Sequence, residues 1–533
     1  MNNIEIFRKL LFVTALSLTT SLVCTQHEES GKTTFPTSGT PGGQVAFLKG
    51  LLMLHCFQYD DAREAFQEAE QIDPSFAMAY WGEAMTHNQP IWMMQDLEAA
   101  REVLKKLGPT PEPRIAKAPT EREKDYLRTL DILFGEGDKK ERDLKYAAAM
   151  GELSAKYPWD LDAAAFHALA ILGTSHEGRD FATYMKAAAI VEQVFDKNPQ
   201  HPGAAHYLIH SYDDPIHAPL GLRPARVFAK IAPTASHALH MPAHIFFALG
   251  MWDEAAKSNE DAYAAAKSRS ERKNTLLSIH GTHSLNWLAY TYLQQGRYAE
   301  TQKPLRILGE HVKQSNEGQY WWHRTWAAYL IDTEYWQSEF VTQALDTSSM
   351  TAIDLTDYLF VKGLAAFKTG NQVTANQELE KIKALAIPSE DPLAVKRAEV
   401  IRHELEALIR LREGKEDEAI DLMKRAVAIE DAMPLEFGPP RIIKPSHELF
   451  GEILLEVNQP VEAMEQFRLA LSRDPRRARS LLGLARAAVA AKEDKIARQT
   501  YLELYAMWRN ADKELSVFKE VKQMRDIFGA GTN

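Results

Sequence analysis

Cysteine is nearly absent: the 533 residues include two, Cys24 and Cys56. That excludes a disulfide framework and a four-thiolate zinc site. Glycine is scarce as well, 27 residues or about 5%, against a usual share of ~7%. No Asn-Gly or Asp-Gly pair occurs, so the strongest short hairpin signal is missing. No stretch reaches the roughly 20 apolar residues that a membrane-spanning helix needs. A basic surplus is missing too. Lys and Arg number 62 against 73 Asp and Glu, a net charge of -11, which argues against nucleic acid as a partner. What is present is 45% hydrophobic and 25% charged, an ordinary balance that excludes a disordered or collagen-like chain. Ala, Leu and Glu dominate, so the chain reads as all-α. Its length admits several globular units or one long repeat array.

The first 24 residues read as an address. Arg8 and Lys9 precede a short apolar stretch from Leu10 to Val23, and Cys24 follows. This is the charged and apolar order of a secretory signal peptide. An ordinary signal peptide and a lipoprotein-type one ending at Cys24 are both compatible with it. Ser21 and Val23 stand where a lipobox has an aliphatic and a small residue. Residues 25–43 are polar and rich in Ser, Thr, Gly and Pro, which predicts a flexible tether. The expected localisation is the periplasm or cell envelope, with a lipid anchor at Cys24 as one option. Ser30-Gly31-Lys32-Thr33 imitates the end of a phosphate-binding loop. Gln26 replaces its first glycine and no strand precedes it, so the motif is discarded.

Beyond the tether the chain is periodic. Gly50, Ala62, Phe66, Ala69 and Pro74 fit a 34-residue helix-pair repeat, and Gly451, Ala463, Phe467, Ala470 and Pro475 fit it equally well. Weaker copies end near Pro158 and Pro199 or turn at Gly250, Gly296, Gly370 and Gly414, and a last one runs through Ala478, Ala485 and Ala497. On these residues, residues 44–510 resemble the tetratricopeptide repeat superfamily. The resemblance implies an α-solenoid of antiparallel helix pairs in an irregular array. Residues 44–347 and 348–533 are expected to form its N- and C-terminal parts. Gly108–Thr120, Ser348–Asp354 and Met433–Pro445 read as loops that interrupt it. Phe76–Met85 and His201–Asn259 further resemble an exported bacterial tetratricopeptide family. That resemblance implies fold and export and supplies no reaction.

Histidine is the feature that composition does not explain. Nine of the 18 histidines fall in residues 201–283, where an even spread would put about three. His206 and His210 take positions 5 and 9 of one repeat, and His240 and His244 recur 34 residues on, with His237 at position 2. His283, Asn286 and Tyr290 take positions 2, 5 and 9 of a later repeat. These positions share a helical stripe about 60° wide. The resemblance implies that this stripe lines a concave groove, joined by Asp214 and by His55 of the first repeat. Imidazoles at i and i+4 present two nitrogens to one point, the spacing that holds zinc, copper or nickel, with Asp213 as a further oxygen ligand.

Three readings stay open: a groove that binds a peptide or protein, histidines that only support the fold, and a divalent metal site, zinc first. Metal-assisted hydrolysis would follow only from the last. No HExxH, GxSxG or paired thiol nucleophile occurs, and the reading leans away from an enzyme. Pro242 is the weak point, since it interrupts the helix assumed for His237, His240 and His244. Tyr320, Trp321, Trp322, Trp326, Tyr329, Tyr335 and Trp336 read as the core of one helix pair or, as the alternative, as an aromatic platform for a ligand beside the histidine region, a kind of surface to which Trp81 and Trp92 could also belong.

Overall fold

The computed structural model describes residues 30–315, 318–342, 347–348, 350–388 and 391–529. The predicted signal peptide and Cys24 lie outside the described residues. Helices succeed one another from Pro41–His55 to Ser516–Gly529. The exception among the described residues is one antiparallel pairing of two-residue strands, Asn88↔Gln95 and Gln89↔Met94. No helix among them is long and apolar enough to cross a membrane.

The repeat signature has a direct steric meaning. Phe66, on the helix Tyr59–Ile72, packs where Gly50 and Gly82 leave room; a Cβ at those glycines would stand 2.8 and 2.3 Å from its ring. Phe467 stands in the same relation to Gly451 and Gly483, at 2.8 and 2.2 Å. One large ring on the second helix thus fits between glycines of the preceding and following helices. The paired helices are joined by a residue in the left-handed region: Gly250, Gly296, Gly370, Gly414, Asn458, Lys492 and, in the first pair, Phe57. Each first helix closes with the same backbone bond from the second residue past the turn, as in Gln58 N–H to Met53 O at 3.0 Å and Gln459 N–H to Leu454 O at 2.8 Å.

The chain divides into two compact units. The first runs to Tyr212 and takes in Leu220–Pro242; the second comprises Asp213–Pro219 and Ala243 onward. Leu359, Phe360 and Leu364 pack with Leu330 and Leu285 in one core of the second unit. The first unit is built on an aromatic core. Phe35 lies 5.3 Å from Phe47 and 5.2 Å from Tyr126 between ring centroids, and Trp81 lies 5.5 Å from Phe166.

Two expectations are corrected in this unit. The tether is packed against the helices from Ser30 onward. Phe35 is fully buried under the Arg122 guanidinium, Lys32 N–H donates to Gln200 O, and the Thr33 hydroxyl donates to Asp162 at 2.6 Å. A single apolar side chain, Phe35, gives the polar segment its anchor. Within Gly108–Thr120, expected as a loop, Pro111–Ala116 forms a short helix, because Pro111 stands at its first turn, where no N–H is needed.

Candidate metal centre

In the first unit, His206 and His210 lie on the helix Pro202–Ser211 and His237 on the helix Ser236–His240. Local chemistry fixes both ends of the first helix. The His201 ring caps its start by accepting the Ala204 N–H at 3.1 Å. Arg179 closes its end, donating to the carbonyls of His210 at 3.1 Å and Ser211 at 2.7 Å. The continuous helix expected from residue 236 onward is broken. Met241 N–H bonds to His237 O, and a new helix begins at Pro242, which has no N–H to give. His240 and His244 therefore belong to different helices, and the single stripe is lost.

Three of the predicted residues nevertheless converge. One ring nitrogen from each of His206, His210 and His237 lies within 4.8 Å of the other two. All three side chains are buried, at 0%, 3% and 1% exposure. This corrects the expected groove: the imidazoles face the interior and do not carpet an open surface. Three nitrogens about 2.1 Å from one ion in a tetrahedral set lie about 3.4 Å apart, so nitrogens at most 4.8 Å apart close onto it when each moves inward by less than about an ångström. His206 is already oriented. Its Nδ1 lies 2.6 Å from the carbonyl oxygen of His55. A carbonyl only accepts, so Nδ1 carries the proton and the lone pair of the neutral ring is on Nε2. This is the outer hydrogen bond that metal-ligating histidines make.

Aromatic side chains enclose the three rings. Phe57 stands 4.2 Å from His206, 5.8 Å from His210 and 5.6 Å from His237 between centroids. Trp92 lies 5.8 Å from His237 and Phe228 5.0 Å from His206. Phe57 takes the left-handed turn position, at φ 54°, where most other helix pairs have glycine. A bulky residue there is strained. The strained turn brings its ring to the three imidazoles and the His55 carbonyl to His206.

His55 itself belongs to an adjoining network. Its Nε2 lies 2.9 Å from Asp162 and its Nδ1 2.9 Å from the Tyr207 hydroxyl. His201 Nε2 lies 3.3 Å from the same carboxylate. Burial would raise the Asp162 carboxyl, but hydrogen bonds from His201 and His55 and the charge of those rings outweigh it and hold it far below the usual range. Burial lowers the His55 ring against the pull of Asp162. The network is internal, so His55 is no groove residue.

The remaining candidates sort by unit. His240 stays in the first unit, its ring 6.0 Å from His237. In the second, His244 donates from Nδ1 to Asp213 and stacks 4.4 Å from Trp287. His283 stands 6.5 Å from His244 and 4.4 Å from Trp321. The polar groups of three residues expected in the groove make bonds within the fold. Asn286 donates to Thr325 at 2.9 Å, and Tyr290 accepts from Arg477 at 2.9 Å. Asp214 accepts the Ile216 and His217 N–H groups and the His217 ring. Sequence reasoning missed Phe57 and Asp162. The one available signal was Phe57 at a turn position that glycine holds in most other helix pairs.

The sequence matches no family model and no curated protein. Among solved structures the chain is similar to the following. Cut9, in the APC/C Cut9–Hcn1 hetero-tetramer, is 11% identical over 92% of this chain and 78% of its own, at a TM-score of 0.34. Human IFIT1, as a dimer with m7Gppp-AAAA, is 14% identical over 91% and 93%, at 0.36. A tetratricopeptide repeat protein from Parabacteroides merdae is 13% identical over 55% and 98%, at 0.29. The glycine–phenylalanine packing of the helix pairs decides the fold class. The chain has the tetratricopeptide-repeat fold.

Proposed function

We propose that this protein is an exported tetratricopeptide-type scaffold whose first unit holds a divalent transition metal, zinc foremost, on His206, His210 and His237. The observation that carries the reading is the convergence of three buried imidazoles with their nitrogens within 4.8 Å, one of them already oriented by a backbone carbonyl. Histidines that merely filled a core would have no reason to bring three basic nitrogens together out of water, where imidazole is costly to charge. Three nitrogen ligands leave a fourth coordination position for water or a ligand group. Export rests on the Arg8–Cys24 segment alone. A protein or peptide partner is the companion reading for the scaffold, supported by the fold class. With the imidazoles buried, such a partner would meet other side chains.

Cobalt(II) titration tests the metal site. The wild type is expected to develop the strong visible absorption of a low-coordinate nitrogen site and to lose it when zinc is added. A His206→Ala/His210→Ala variant that retains its helical circular dichroism is expected to show neither. Absence of the absorption in the wild type, or its persistence in the folded variant, would overturn the reading.

A further inference from the structure

The second unit contains a recess that the metal reading does not use. It is small, with about 30 Å³ open to the centre of a water molecule. Phe247, Trp252, Tyr290 and Phe437 contribute aromatic walls, and Asp213 and Asp474 contribute carboxylates. The first three rings stand within 6.0 Å of one another: Phe247–Trp252 at 5.2 Å, Phe247–Tyr290 at 5.7 Å and Trp252–Tyr290 at 6.0 Å.

The charges of the recess do not cancel internally. Glu436 is committed to Arg397 and Arg441, and Asp214 to the His217 turn. Arg473, the one cation among the lining residues, turns to the Glu430 carbonyl at 3.3 Å and to Asp431 at 3.5 Å. Asp213 is 1% exposed; its Oδ2 accepts from His244, while its Oδ1 has no hydrogen-bond partner among the described residues. A buried carboxylate oxygen left unsatisfied is costly, and a native fold retains one where something completes it. Asp474 accepts no side-chain hydrogen bond among the described residues. Burial raises its carboxyl to about 7, against the nearby Arg477 and with Glu430 adding to the rise.

We infer that this recess binds an organic cation, an ammonium or guanidinium group on a short apolar stem. The two carboxylates would take the charged head, and the aromatic walls would take the stem and add cation–π attraction. A hydrated metal ion fits less well, because the walls offer ring faces where such an ion needs oxygen donors. A neutral donor could hydrogen-bond Asp213 Oδ1 but would leave the carboxylate charge of the recess unbalanced.

Calorimetric titration of the full-length protein with butylamine, butylguanidine, N-acetyl-lysine methylamide and 1-butanol tests this. Saturable binding of the cations and none of the alcohol is expected. Asp474→Asn, which preserves shape and removes only charge, is expected to weaken binding at least about tenfold. Asp213→Asn serves as a second variant. Binding of the lysine derivative would point to a peptide-borne lysine as the natural source, and binding of butylamine alone to a free amine. No binding of any cation, equal binding of 1-butanol, undiminished binding by the folded Asp474→Asn protein, or binding of zinc alone at this recess would overturn the inference.

Discussion

Phe57 shows how a single residue links strain, packing and site. Its backbone lies at φ 54°, which costs a bulky residue on the order of 1–3 kcal/mol, while its ring touches all three imidazoles. Phe57→Gly relieves the strain but empties the space between the rings, and losing a buried phenylalanine costs about 3–5 kcal/mol. The variant is expected to unfold at lower denaturant by roughly 2 kcal/mol and to bind zinc more weakly. An equally stable variant with unchanged zinc affinity would show that the ring supports nothing. Asp474 carries the pH prediction. Its carboxyl titrates near 7 in the fold and near the ordinary 3.8 when unfolded, so the fold holds a proton there that the unfolded chain releases. Its contribution to stability is therefore full below about 4 and declines as pH rises through about 7. The Tm of Asp474→Asn minus that of the wild type should grow over this window; a flat difference would contradict the assignment. At this scale the metal candidates were legible, because histidine number and i, i+4 spacing are sequence properties. Their burial was not, since position within a repeat says which side a residue faces and not what covers that side.

Among elements, the second unit is tied by one buried cation. Arg477, 1% exposed, donates to Glu448 at 2.8 Å, to Asp332 at 2.6 Å and to Tyr290 at 2.9 Å. These partners come from three different helices. Burial opposes the Arg477 charge, and the two carboxylates beside it more than compensate. Removing one member of such a set strands the others, so Arg477→Ala is expected to cost about 3–5 kcal/mol in denaturant unfolding. A loss below 1 kcal/mol would mean that the carboxylates find other partners. The helix pairs themselves were legible, because Gly50–Phe66 and Gly451–Phe467 are steric requirements written as residue types. The break at Met241 was legible only as a doubt attached to Pro242. The short strands around Trp92 and the packing of residues 30–40 were not legible. They depend on distant contacts such as Phe35 under Arg122, for which local composition carries no pattern.

At the scale of the molecule, the chain divides into two compact units, with the change from one to the other falling in residues 212–243. Within the second, the core continues on both sides of Ser348–Asp354 through Leu330, Leu359 and Phe360. A repeat array shares its core between neighbours, so a loop between helix pairs does not by itself end a unit. A ligand that binds only the folded first unit adds to its stability by mass action. A metal held on the three histidines would therefore raise the stability of the first unit as well.

The measurement that bears most directly on the central claim is elemental analysis of the protein purified without a histidine tag, beside the His206→Ala/His210→Ala variant and a His237→Ala variant. The account predicts close to one zinc, copper or nickel per wild-type chain and loss of that metal from both variants while helical content is kept. A metal-free wild type after incubation with each ion, or metal retained by both folded variants, would contradict it.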